Sequence, residues 1–127
     1  MPRRAFPVIY AADVEALAGF YARLGFEEHF RLPPEGEAGY VGLRREDAEL
    51  AIVTVRSPEE IIGVRPGTEP RFELYVYVDD LDREVQRLRA AGAPVLREPA
   101  DMPWGERLAY VADPEGNPVA LAAAPAS

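Results

Sequence analysis

Two stretches of this sequence follow one pattern, and the repetition limits what the chain can fold into. Phe72, Leu74, Val76 and Val78 alternate with Glu73, Tyr75 and Tyr77. Aromatic and β-branched residues at period two predict a strand with two chemically different faces. Asp80 then stands where a helix N-cap belongs, Leu81, Val85, Leu88 and Ala91 follow helical spacing, and Gly92 supplies a left-handed stop. Earlier, Phe6 to Ala12 reads as strand, Asp13 as cap, Val14, Leu17, Ala18, Tyr21 and Leu24 as apolar stripe, and Gly25 as stop. The two caps are 67 positions apart, and so are the two glycines. The chain is an internal duplication.

Each copy continues with three more strands. After the first helix come Phe26 to Leu32, then Gly39 to Arg44 and Glu49 to Val55 as a hairpin. After the second come Pro94 to Glu98, a loop from Pro99 to Gly105, Glu106 to Ala112, the turn Asp113-Pro114-Glu115-Gly116-Asn117, and Pro118 to Ala122. Met1 to Arg4 is a polar lead. Residues 56–70 read as a linker with room for one helical turn near Pro58 to Ile62. Pro7 cannot donate to a ladder, so its strand belongs at a sheet edge or crosses to another subunit. The expected architecture is α+β: one domain over 1–127, with βαβββ repeats at 5–55 and 71–123. Together they form a curved eight-stranded sheet with helices outside and an open concave cleft.

Bulk properties narrow the function classes. At 127 residues with 48% hydrophobic side chains, the chain can bury a core. No apolar run spans a bilayer and Met-Pro-Arg-Arg does not open a signal peptide, so a cytoplasmic protein without membrane partners is expected. Absence of cysteine excludes thiolate chemistry. A net charge of −8 argues against nucleic acid and favours cationic ligands, and it also serves solubility.

The segments Val8-Ile9-Tyr10-Ala11-Ala12-Asp13-Val14 and Gly19-Phe20-Tyr21-Ala22-Arg23-Leu24-Gly25-Phe26 resemble the first unit of the vicinal-oxygen-chelate superfamily, which contains glyoxalases, extradiol dioxygenases and bleomycin-resistance proteins. Val78-Asp79-Asp80-Leu81 and the Asp113–Asn117 turn resemble the second unit. Enzymes of this superfamily hold a divalent metal through the first, fourth, fifth and eighth strands. By the resemblance those positions are Phe6, Ala51, Glu73 and Ala120 here. Three lack a donor atom, and Glu73 alone cannot hold a metal, so neither metal nor cofactor is expected.

Ala5-Phe6-Pro7-Val8-Ile9 and Pro103-Trp104-Gly105-Glu106 are most similar to the metal-free bleomycin-resistance branch. That resemblance implies a homodimer that exchanges its first strand and sequesters a cationic, aromatic drug, with Phe30, Tyr40 and Trp104 as groove aromatics. Arg31, Arg44 and Arg45 bring positive charge to that groove.

Trp104 reads as a stacking platform or as packing for its turn. Glu73 reads as an anchor or acid/base in the cleft, or as a rim glutamate paired with Arg71 or Arg107. Phe6, Tyr10, Tyr75 and Tyr77 share its face by period two, lining a pocket or filling it. Asp13 and Asp80 are caps, and His29 is a surface strand residue without a role. The expected function is sequestration of a small aromatic or cationic compound by a homodimer. A metal-independent enzyme using Glu73, with Tyr75 or Tyr77 as donor, and a dimerisation or regulatory module are the other readings.

Overall fold

The duplication reaches down to individual dihedral angles. In the computed structural model, which describes residues 4–123, Asp13 caps the first helix at φ −126°, ψ 93°, and Asp80 caps the third at φ −127°, ψ 93°. The Ala16 N–H donates to Asp13 Oδ1 at 3.0 Å, and the Arg83 N–H to Asp80 Oδ1 at 3.2 Å. Each cap satisfies a backbone donor that the helix itself cannot. Gly25 at φ 90° and Gly92 at φ 97° turn the chain out of those helices in the region open to glycine. Met1, Pro2 and Arg3 of the expected polar lead lie outside the described residues.

The chain divides into two compact units between Gly67 and Thr68. The first contains β1 (Val8–Ala11), α1 (Val14–Ala22), β2 (Glu27–Leu32), β3 (Tyr40–Arg45), β4 (Ala48–Thr54) and α2 (Arg56–Ile62). The second contains β5 (Leu74–Tyr77), α3 (Leu81–Ala90), β6 (Val95–Asp101), β7 (Arg107–Ala112) and β8 (Pro118–Ala123). The fold is α+β with two four-stranded mixed sheets, ordered β1-β4-β3-β2 and β5-β8-β7-β6. In each, the first strand runs parallel to the last and the remaining pairs are antiparallel. β1 is therefore an edge strand pairing within its own chain, and Pro7 just before it offers only its carbonyl, to Ala51 N–H at 3.0 Å.

One face of each sheet is covered by its helix. Val14, Leu17, Ala18, Phe20 and Tyr21 of α1 are buried, and the Tyr21 ring meets Phe20 and Phe26 edge-on at 5.0 and 5.8 Å. Leu81, Val85 and Leu88 of α3 are buried likewise. This leaves the opposite faces to carry side chains at alternate strand positions.

The Asp113–Asn117 turn is a structural knot. Asp113 Oδ1 accepts from the N–H groups of Glu115 and Asn117, both at 2.9 Å, and the buried Asn117 amide donates to Asp113 Oδ2 at 3.1 Å and accepts from the Arg71 N–H at 3.3 Å.

Two expectations need correction. The linker holds a seven-residue helix, α2, rather than one turn, closed by Gly63 at φ 70°. Strand β6 continues through Pro99 to Asp101, so the expected Pro99–Gly105 loop shrinks to a turn. That turn closes through Met102 N–H to Glu106 O at 2.8 Å and Gly105 N–H to Met102 O at 2.9 Å. The strand tolerates proline because β6 is an edge strand whose pairing to β7 shifts register between Val95 and Arg97 and again between Arg97 and Ala100.

Candidate functional site

In the first unit, the sheet face away from α1 holds a cavity of about 670 Å³. Alternate positions of three strands line it: Phe30 and Leu32 of β2, Tyr40 and Gly42 of β3, Glu49, Ala51 and Val53 of β4, with Phe6 before β1. Phe30 and Tyr40 come together as expected, edge to face at 5.8 Å. Gly42 keeps the middle open, since a Cβ there would come within 3.1 Å of His29 Nε2 and 3.5 Å of Phe30 Cβ. Tyr10 is half-buried on β1 and is not among the lining residues.

The wall carries a polar end that strand patterning did not reveal. Glu49, its side chain 13% exposed, accepts Arg4 Nη2 on Oε1 at 2.6 Å and Arg4 Nε on Oε2 at 3.1 Å. Arg44 Nη2 and His29 Nε2 stand 3.7 and 3.6 Å from Oε1. The paired Arg4 holds the Glu49 carboxyl below its ordinary range, with Arg44 and His29 adding to the effect. His29, expected to lie idle on the surface, reaches the cavity because the β2–β3 register slips between Glu28 and Phe30. Arg31 is not a cavity residue. It is bound to Glu15 at 2.9 and 3.1 Å, to Glu28 at 2.5 and 3.2 Å and to the Gly36 carbonyl at 2.9 Å, tying α1 to β2 and its following turn.

Matched positions in the second unit follow from strand pairing. Val8 faces Ala51 as Tyr75 faces Ala120, and Gly42 and Tyr110 are their respective next neighbours. Where the first unit has Gly42, Ala51, Val53 and Tyr40, the second has Tyr110, Ala120, Ala122 and Leu108. Leu108, Ala120 and Ala122 form a buried cluster, with Met102 and Tyr110 packed against it. Three of these four matched positions, Leu108, Ala120 and Ala122, are buried.

Beside this cluster, the aromatic candidates of the second unit converge on a carboxylate that sequence reasoning missed. Tyr75 and Tyr77 donate their hydroxyls to Glu106 Oε1 and Oε2, each at 2.5 Å, and the Trp104 indole N–H donates to Oε1 at 2.8 Å. The two phenol rings lie 5.5 Å apart. Tyr75, then Tyr77, then Trp104 hold the Glu106 carboxyl below its usual range. In return, its acceptance of the Tyr75 hydroxyl, with lesser desolvation, pushes that phenol up to about 12, and Tyr77 is raised for the same reasons. The rings remain accessible: Tyr75 is 41%, Tyr77 51% and Trp104 61% exposed. At neutral pH this is a fixed anion with aromatic faces around it.

Glu73 is exposed and makes none of these contacts. Neither does Arg107 pair with it: that side chain reaches Asp82 at 3.2 Å and Asp101 at 3.4 Å. Glu106, not Glu73, is the carboxylate on which these aromatic side chains converge. Its signal was its place directly after Pro-Trp-Gly, one turn from the indole it accepts.

The donor set does not fit a metal at the superfamily's positions. Phe6 and Ala51 present only carbon to the first-unit cavity, Ala120 lies in the buried apolar cluster, and no group of three His, Cys, Asp or Glu is placed to share an ion among the described residues. No helix is long and apolar enough to cross a membrane among the described residues.

Residues 4–121 match the family model described as Glyoxalase/Bleomycin resistance protein/Dioxygenase superfamily. The "Bleomycin resistance protein" of Klebsiella pneumoniae is 28% identical over 127 residues, covering 92% of this chain and 89% of that one. The "Putative glyoxylase CFP32" of Mycobacterium tuberculosis is 41% identical over 51 residues, 40% of this chain but only 20% of that protein's length. Among solved structures, a glyoxalase-related enzyme from Fulvimarina pelagi superposes with a TM-score of 0.79 at 27% identity, covering 98% of this chain and 89% of that one. The matched repeats, helix caps and paired strands make this chain a member of the glyoxalase/bleomycin resistance protein/dioxygenase superfamily.

Proposed function

We propose that this protein is a metal-free, homodimeric binding protein that sequesters a small aromatic or cationic compound such as a bleomycin-like antibiotic. The observation that carries the reading is the convergence of Tyr75, Tyr77 and Trp104 on Glu106 with their ring faces left accessible. An ionised carboxylate ringed by aromatics suits a planar cation through stacking, cation–π attraction and charge together. The bleomycin-resistance relative, similar along nearly the whole chain, supports the same ligand class. Acid–base catalysis is the weaker reading, because Glu106 is made less basic and the Tyr75 phenol less acidic than free groups.

Bleomycin titrated against the protein should quench emission from Trp104, the single tryptophan. Stacking and cation–π contact contribute about 1–3 kcal/mol, so Trp104→Ala should weaken binding roughly ten- to a hundred-fold and Trp104→Phe less. Sedimentation should give about 28 kDa, twice the 14.0 kDa chain. Unperturbed emission at saturating bleomycin, together with a sharply lowered melting temperature for Trp104→Ala, would make Trp104 a packing residue and remove the proposal.

A further inference from the structure

Two kinds of oxidisable side chain meet on one carboxylate oxygen in the second unit. Tyr75 donates its hydroxyl to Glu106 Oε1 at 2.5 Å, and Trp104 donates its indole N–H to the same atom at 2.8 Å. Tyr77 donates to Oε2, also at 2.5 Å, and its ring lies 5.5 Å from that of Tyr75. A stacking platform needs only the ring faces. Aiming both phenolic protons at one anion is a separate feature, and it bears on how the rings lose electrons.

A phenol gives up an electron with difficulty while it keeps its proton, because the oxidised phenol is an acid far stronger than any carboxylic acid. A carboxylate already in hydrogen-bond contact lets the proton leave in the same step. Glu106 is held below its ordinary range by its three donors, yet it still takes a proton from so strong an acid. An oxidised indole is only about as acidic as an ordinary carboxylic acid, so the same carboxyl leaves the Trp104 N–H in place. The shared anion therefore favours oxidation of the phenols over the indole. The Tyr75 and Tyr77 rings, 41% and 51% exposed, are open to a dissolved reductant.

We propose that Trp104, Tyr75, Tyr77 and Glu106 form a radical relay, which passes a one-electron oxidation from the indole to a phenol and on to a small water-soluble reductant such as ascorbate. A one-electron oxidant (a free radical, or a stacked aromatic compound in its oxidised radical form) takes an electron from Trp104 and is itself reduced. Tyr75 or Tyr77 then gives an electron to the indole radical cation while its hydroxyl proton moves to Glu106. This leaves a neutral phenoxyl radical and a carboxylic acid. The reductant supplies one electron, Glu106 returns the proton, and the starting state is restored. The relay needs no bound drug, so it goes beyond the sequestration reading while using the same side chains.

Pulse radiolysis of the ligand-free protein with azide radical tests this, because that oxidant attacks indoles faster than neutral phenols and Trp104 is the single tryptophan. Indole-radical absorbance should give way to phenoxyl absorbance at a rate independent of protein concentration, and ascorbate should then remove the phenoxyl signal. A positioned proton acceptor contributes about 10²–10⁴ in rate, so Glu106→Gln, which keeps an acceptor oxygen but cannot take the proton, should slow the conversion roughly a hundred-fold. Tyr75→Phe combined with Tyr77→Phe should leave the indole radical in place at least roughly ten-fold longer, and it carries the test alone should Glu106→Gln fail to fold by circular dichroism. Conversion within about ten-fold of the original rate in either folded variant overturns the proposal, as does a phenoxyl radical that ascorbate leaves untouched. Bleomycin quenching of Trp104 in unirradiated protein reports the binding reading, so either can fail while the other stands.

Discussion

The two units share one backbone plan and do opposite things with its open face. In the first, Gly42 leaves a space, and the acid on the wall is answered by arginines and a histidine. In the second, Tyr110 occupies the matching position, and Leu108, Ala120 and Ala122 close into a buried cluster. The acid there is answered by two phenols and an indole, and the accessible surface is aromatic. Duplication supplied two equivalent faces, and single side chains at matched register decided which one became a cavity. The lesson is local: on a pleated sheet one residue at a central inward position sets how much of a face is space.

The largest expected effect contrasts a buried side chain of the second unit with an exposed one of the first. Leu108, 1% exposed in the second unit, should cost about 2–5 kcal/mol when replaced by alanine. Leu32, lining the first-unit cavity at 57% exposure, should cost within about 0.5 kcal/mol for the same change. Urea unfolding of the two variants measures both, and equal costs would break the comparison.

A second test copies one unit into the other. Gly42→Tyr reproduces Tyr110 and should overpack the space beside His29 and Phe30, costing about 1–3 kcal/mol in the same urea unfolding. Unchanged stability would show that position 42 does not control the space.

The smallest effect is the pH dependence of the second unit's acid, read at the indole beside it. The folded Glu106 carboxyl lies below its ordinary 4.5, so its contribution to stability is fully present above about pH 4.5 and is lost as pH falls through the lower folded value. Trp104 emission should shift over that range, and Glu106→Gln should flatten the shift. At the alkaline end Tyr75 should ionise near 12 rather than at the ordinary 10.0, read as delayed phenolate absorbance that Glu106→Gln restores.

Much of this was legible in the residues, for identifiable reasons. Asp13 and Asp80 sit at caps because a short carboxylate satisfies helix N–H groups, and Gly25 and Gly92 sit where φ is positive. Local chemistry of that kind can be read from local sequence. Phe30 and Tyr40 came together as the family resemblance implied, and Tyr75 and Tyr77 shared a face because period two fixes which face a strand residue occupies. What escaped depended on pairing. His29 reaches the cavity through a register slip that alternation cannot encode. Pro99 stays in a strand because that strand is an edge with two slips. Glu106 rather than Glu73 receives the phenols because β8, carrying only Ala120 and Ala122 opposite Tyr75 and Tyr77, lies between β5 and β7. The small side chains let the rings reach beyond it, a distance no count along the sequence measures.

The parallel pairing of first and last strands in each repeat also sets an order of assembly. Val8 must meet Ala51, 43 positions later, and Tyr75 must meet Ala120, 45 positions later. At roughly 5–20 residues per second on the ribosome, β1 waits on the order of seconds for its partner, while α1 and the β3–β4 hairpin can form from nearby contacts alone. Closing that long loop is the entropic hurdle of each repeat, and it comes last. All four strands of the first sheet have been synthesised before β5 begins, so the nascent chain meets the same loop-closure problem twice in succession.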